Sequence, residues 1–365
     1  MELVKPVFEK EEIDGFYKKL KAEVQALVLE NPELQRKNTQ KAIFLLVVYW
    51  LFYALILLEG SNAFCLFAFY ILMGVAMIVM FVNSIHDAAH QCAFRNKRWN
   101  NLYVKNLELF GGNSFIWVKR HNLLHHPHAN IQDWDIDIKQ SKLVRIFPNS
   151  VWEHYHRYQH IYMFFLYPFY TINWLFVRDF KDFFEKKDNI LKRVVHIPRI
   201  EYLKLFFFKF LNIFYLLIVP YWILDQDFGT VFGAWMMMHL VSSMVGVVAL
   251  VSTHADEEAE FPEAPIDGKM NTSWAVHQIS VTKDFSANNR LATFLYGGFT
   301  HHVAHHLFPH LAHTYYPYIT PIICRYANMY HIPYKSYPAL AAIHSHFMLL
   351  KNRGIQENIF RVGEL

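Results

Sequence analysis

Four long apolar stretches divide the chain, and the polar segments between them hold most of its chemically distinctive residues. Ala42–Leu58 is apolar throughout, and Ala63–Val82 follows after the short break Glu59-Gly-Ser-Asn62. Leu205–Leu224 is apolar apart from Lys209 and Asn212, and Gly229–Thr253 follows after Asp225-Gln-Asp227. A membrane-spanning helix needs about 20 apolar residues, so the first stretch is slightly short and borrows from its flanks. The pattern predicts an all-α integral membrane protein with four transmembrane helices in two hairpins, each closed by a very short turn. It also sets the domain organisation: a cytosolic amphipathic segment over 1–41, a membrane domain over 42–353 and a tail over 354–365.

Composition agrees with the pattern. Apolar residues make up 54% of the 365 and aromatics 17%, with 18% charged, too greasy for an ordinary soluble domain. The start of the chain is charged and lacks an apolar core, so no signal peptide is expected. All 35 Lys and Arg fall outside the two short turns, which puts the N-terminus and the long polar segments on the cytoplasmic side. A net charge of +4 is too small to suggest nucleic-acid binding, and three scattered cysteines, Cys65, Cys92 and Cys324, offer neither a disulfide framework nor a thiolate metal site. No internal repeat is present.

The polar segments carry three tight histidine clusters: His86 and His90; His121, His125 and His126; His302, His305 and His306. On a helix, side chains three or four apart share a face. Hairpin parity brings all three clusters to one side of the membrane. A fifth apolar run, Ile161–Val177, holds Pro168, Asn173 and four Tyr or Trp residues. A span there would separate the third cluster from the first, so it is read as an interfacial or shallow re-entrant helix. Eight imidazoles gathered at one face repel when protonated and waste burial when unpaired, and metal ions resolve both problems. Nitrogen donors suit Fe, Zn, Cu or Ni. A closed structural zinc site needs four ligands per ion, so eight or more histidines serve two ions and leave positions open. The isolated histidines, His154, His156, His160, His196, His331, His344 and His346, read as surface or core residues. His239, mid-span and roughly 20 Å of helix from His254, reads as packing or tunnel lining.

These clusters resemble the three histidine boxes, HxxxH, HxxxHH and (H/Q)xxHH, of the membrane fatty acid desaturase superfamily, in order. The likeness extends through the run from His121 to Asp137, through Trp274-Ala-Val-His-Gln278, and through Gly297-Gly-Phe-Thr-His-His-Val-Ala-His-His-Leu-Phe-Pro309. Ala312-His-Thr-Tyr-Tyr-Pro317 and His331-Ile-Pro-Tyr334 also fit, and the resemblance covers about residues 40 to 353, nearest to the linoleoyl-CoA-desaturase-like and front-end subgroup. It implies a di-iron site with ligands His86, His90, His121, His125, His126, His302, His305 and His306, and His277 as a further ligand ahead of the third box. It also implies a supporting place for His254, and for Asp135 and Asp137 as acceptors of ligand imidazole N–H groups; Asp87 is a candidate for the same task.

The implied activity is O2-dependent desaturation of a long fatty acyl chain, carried by an acyl-lipid or acyl-CoA, with electrons from a separate ferredoxin or cytochrome-b5-type donor. Zinc is a plausible substitute for iron in purified protein. The acyl chain is expected in an apolar tunnel partly lined by Tyr70–Asn83 and Trp235–Val251, with Lys119 and Arg120 as possible phosphate contacts. Two departures from the front-end pattern bear on regiochemistry: the third box begins with His302 rather than Gln, and Gly297-Gly-Phe-Thr300 replaces Gly-Gly-Leu-Asn. The rival readings are a lipid hydroxylase using the same boxes and a non-enzymatic membrane metal-binding protein. The spans' only interior ionisable groups, Lys209 and His239, count against transport.

Overall fold

The structure, a computed structural model, describes residues 4–10, 15–138, 141–185 and 189–355. Positions 1–3 and 11–14 of the expected N-terminal segment, and 356–365 of the expected tail, lie outside the described residues. Among the described residues four helices are long and apolar enough to cross a membrane: Pro32–Glu59, Ala63–Ala89, Arg199–Ile223 and Phe228–His254. Each expected span lies almost wholly within one of them, lengthened chiefly on the side away from the short turns. The turns are set by side-chain caps. Asn62 accepts the Cys65 N–H and Asp227 accepts the Thr230 N–H, each satisfying a donor that the first helical turn leaves free.

The first and second spans pack against each other, but the fourth packs most extensively on the second. Gly74 permits this. A Cβ there would stand 2.4 Å from the Ser242 Oγ and 2.8 Å from the Met238 carbonyl oxygen, so only glycine allows the backbones so close. The third span is tied to the first through tyrosines: the Tyr49 and Tyr215 hydroxyls are 2.7 Å apart and Tyr53 donates to the Tyr215 carbonyl.

The protein is mostly helical rather than wholly so. Val7–Glu9 pairs in parallel with Lys269–Ser273, and Asp284–Phe285 pairs with Ser336–Tyr337. These short pairings fasten distant segments around the polar half of the molecule. The helix Phe16–Glu30 packs on Tyr316–Met329, burying Phe16, Leu20 and Val24.

The 161–177 stretch is an interrupted helix. Gln159–Leu166 is broken by a tighter turn at Tyr167–Phe169, where Pro168 removes a donor, and helix resumes at Tyr170–Asn173. It docks midway along the fourth span: the Thr171 N–H donates to the Ser243 Oγ, and the Thr171 hydroxyl lies 3.0 Å from His239 Nδ1. His239 is therefore a packing partner of this segment. Thr171 offers polar atoms to His239 and to Ser243, whose hydroxyl also donates to the His239 carbonyl.

Candidate metal centre

Each histidine cluster sits where a helix ends or changes pitch. The second span widens into a π-helical turn over Phe81–Ile85 immediately before His86, and His90 closes the helix beyond it. The second cluster follows the helix Ser114–Arg120, which is capped by Asn113. Its own residues, His121–His125, form another π-helical turn. The wider i→i+5 turn changes the α-helical expectation. His121 and His126, five apart, become directly aligned, with Nε2 atoms 3.0 Å apart. The third cluster occupies the short helix His302–Leu307.

The structure gathers the imidazoles into two adjoining groups. His86, His90, His121, His126 and His305 form one; His125, His254, His302 and His306 form the other. Within each group one ring nitrogen per residue lies within 4.8 Å of all the others. The rings of His126 and His306, one from each group, stand 4.5 Å apart. The second and third boxes each contribute to both groups.

All eight cluster histidines are thus brought together. His277 is not. The expectation put it among the ligands and His254 behind them; the structure groups His254, and not His277, with the cluster histidines. His254 ends the fourth span with its Nε2 2.8 Å from His302 Nε2. His277 Nε2 lies 2.9 Å from the Ala129 carbonyl oxygen, and its ring packs 4.9 Å from Phe8. On the helix Trp274–Val281 adjacent residues point about 100° apart, so only one of His277 and Gln278 can face the cluster. Gln278 does so, with its Oε1 2.8 Å from His306 Nδ1.

Several carboxylates and hydroxyls hold the rings from behind. Asp135 lies 3.0 Å from His125 Nδ1 and is itself fixed by the Asn130, Asp137 and Ile138 N–H groups. Asp137 lies 3.3 Å from His121 Nδ1 and accepts Arg120 at 2.5 Å. The Tyr316 hydroxyl approaches His305 Nδ1 at 3.3 Å. Asp87 faces no cluster histidine. Buried at 2% exposure, it binds Asn38 and the ring of His313, tying the first span to the second and to the chain beyond the third box. Arg120 is also buried, held by Asp137 and Asp182 and stacked on Trp174, which leaves it unavailable to a phosphate.

Sequence reasoning missed Gln278, Tyr316 and His313. Gln278 stood in a quoted motif beside the more conspicuous histidine. Tyr316 and His313 also lay in a quoted motif but carried no metal-ligand signal.

The donor set suits metal ions. His90 Nε2, His305 Nε2 and His306 Nε2 are buried without a hydrogen-bond partner among the described residues. Two nitrogens bound to one ion at about 2.1 Å stand roughly 3.0 to 3.4 Å apart. The contacts between His86 and His121, both Nε2, and between His121 and His126 are 3.0 Å. Burial, reinforced by neighbouring imidazoles, holds His126, His302, His305 and His306 well below the usual imidazole range. They are therefore neutral at physiological pH, the state that ligates. His125 goes the other way: burial pulls it down, but Asp135 overcomes this and raises it.

A cavity of about 420 Å³ leads from the clusters. His121, His125, His254 and His302 form its histidine-lined end with Phe81 and Trp117. Val247, Leu250 and Val251 of the fourth span and Met163, Leu166 and Phe169 of the interrupted helix continue the apolar wall. Its size fits a small-molecule site.

Comparison with known proteins places the chain among sequence relatives. A family model described as fatty acid desaturase matches residues 60–338. An acyl-lipid (8-3)-desaturase of Physcomitrium patens is 28% identical over 352 residues, covering 95% of this chain and 73% of its own. An sn-1 linoleoyl-lipid 6-desaturase of Synechocystis is 29% identical over 353 residues, 93% of this chain and 96% of its own. An acyl-lipid (8-3)-desaturase B of Dictyostelium discoideum is 30% identical over 303 residues, 80% of this chain and 64% of its own.

Proposed function

The chain belongs to the fatty acid desaturase family, and from that premise we propose that it inserts a double bond into the acyl chain of a membrane lipid at a di-iron centre. The observation that carries this reading is the junction of an apolar cavity with two adjoining groups of buried histidines. His86, His90, His121, His126 and His305 would hold one iron; His125, His254, His302 and His306 would hold the other. Bound iron would supply the O2 reduction and hydrogen abstraction that no side chain provides. In the overall balance, one methylene pair loses two hydrogens; these, with O2, two protons and two electrons, give a double bond and two waters.

The chain's own residues bind, orient and exclude. Phe81, Trp117 and Val251 line a wall that would position one methylene pair and keep bulk water from the centre. Asp135, Asp137 and Gln278 fix which ring nitrogen of His125, His121 and His306 faces inward. Leu166 and Phe169 belong both to the cavity wall and to the exposed apolar surface, which favours entry of an acyl chain from the lipid phase. The relatives named for acyl-lipid and linoleoyl-lipid substrates support the same substrate class. Electrons would come from a separate ferredoxin or cytochrome-b5-type protein. The N-terminus and metal centre would face the cytoplasm, given turns without Lys or Arg. Family membership and the relatives' names favour desaturation over hydroxylation and over a non-enzymatic metal protein.

The test is lipid mass spectrometry of cells expressing the chain or its His125→Ala variant. A new unsaturated acyl species absent from the variant is expected, and mapping its double bond would show the effect of His302 at the head of the third box. An oxygenated species in its place would sink the desaturase reading for this chain.

A further inference from the structure

A second cavity, of about 980 Å³, lies on a different side of the first span. Arg36, Thr39, Ile43, Leu46 and Trp50 line it at alternating spacings of three and four, a single stripe along that helix. The first-span residues that turn inward, Asn38, Ala42, Leu45 and Tyr49, occupy another face and are buried. The opposite wall comes from the segment after the first histidine box, with Phe94, Trp99, Leu102 and Leu109, and from Phe208 of the third span. Gln35 and Thr39 hold that segment against the first span through the Cys92 and Ala93 carbonyls.

Charge is distributed unevenly along this groove. Arg36, Arg95 and Lys105 line its polar part, exposed and without an ion pair among the described residues, and no carboxylate lines it. Trp50 lies 14 residues beyond Arg36, about 21 Å along the helix, which exceeds half of a roughly 30 Å hydrocarbon core. Trp99 and Leu102, 58% and 55% exposed, stand on the helix Lys97–Tyr103, where aromatic residues suit the membrane–water boundary. Arg36 and Arg95 stand at one end, beside the Gln35 contacts to the Cys92 and Ala93 carbonyls, and an apolar aromatic wall follows over Ile43–Trp50, which matches an anion joined to an acyl chain.

We propose that this groove binds one anionic phospholipid, with its phosphate at Arg36, Arg95 and Lys105 and an acyl chain along Ile43, Leu46, Trp50 and Phe208. The occupant bridges the first and third spans and supports their packing. It is a bound lipid, not the substrate, since the groove contains none of the clustered histidines.

The experiment is thermal unfolding of the purified, delipidated full chain in detergent. Phosphatidylglycerol, phosphatidylcholine or inorganic phosphate is added to the wild type, to an R36Q/R95Q/K105Q variant and to a K192Q/R193Q/R199Q variant that removes three cations elsewhere. Phosphatidylglycerol is expected to raise the midpoint of the wild type by a few degrees beyond phosphatidylcholine. That preference should vanish in the groove variant and persist in the control. No preference in the wild type, an equal shift with inorganic phosphate, survival of the preference in the groove variant, or its loss in the control would overturn the proposal. The readout is unfolding rather than desaturation, so it stands apart from the reading of the metal centre.

Discussion

At the level of single residues, His254 and His277 separate an imidazole grouped with the cluster histidines from one bonded to the backbone. Both are buried. What differs is the partner: His254 meets the nitrogen of His302, whereas His277 meets a backbone carbonyl. His254→Ala is therefore expected to lower bound metal from two ions per chain toward one after iron reconstitution. His277→Ala should keep both ions and lose only stability, measured as metal per chain beside a thermal midpoint. Asp135 acts through His125. Removing such a partner typically weakens metal binding by about 10- to 100-fold, so Asp135→Ala should show that loss in chelator competition while Asp135→Asn recovers part of it.

At the level of elements, the way the third box is seated decides the site. Gly297 has φ +54, and a Cβ there would stand 2.4 Å from the Asn83 Oδ1 of the second span. Gly297→Ala combines left-handed strain with that clash and should cost about 1–3 kcal/mol, visible as a lowered melting point and reduced metal content. Asp284 holds the start of the third-box helix by accepting the Val303 N–H at 2.9 Å, and Tyr334 donates to its other oxygen. Burial raises its carboxyl from 3.8 to about 7. A carboxyl that binds its proton more tightly folded than unfolded stabilises the fold most below its unfolded value and loses that support as pH rises through about 7. Asp284→Asn, which mimics the protonated form, should melt close to wild type at about pH 4 and gain on it as pH rises to about 7. Parallel melting curves at both pH values would refute this.

For the whole molecule, the cavity and the membrane orientation are the properties that no single element holds. The cavity wall is shared by the second span, the fourth span, the interrupted helix and the segment after the second box. Val251→Trp should fill it, leaving metal content near wild type while turnover falls by at least about tenfold. If turnover survived, the acyl chain would have to lie elsewhere. With a cytoplasmic metal centre, a cysteine placed by Ser61→Cys in the first short turn should react with a membrane-impermeant thiol reagent from outside intact cells. One placed by Arg290→Cys should react only after permeabilisation.

The sequence alone determined the four apolar helices, their short turns and the eight clustered histidines, because hydropathy and local spacing depend only on neighbours along the chain. The tertiary structure decided the rest. How the clusters divide between two groups depends on π-helical turns that rotate His121 and His126 into line, and one extra residue in a turn leaves no clear hydrophobic signature. That His254 rather than His277 joins the site depends on where the fourth span ends in space and on which way one short helix is rotated. The interrupted helix follows His239 and Ser243 to mid-span because buried polar atoms need partners, and those partners lie about 70 residues away in the chain.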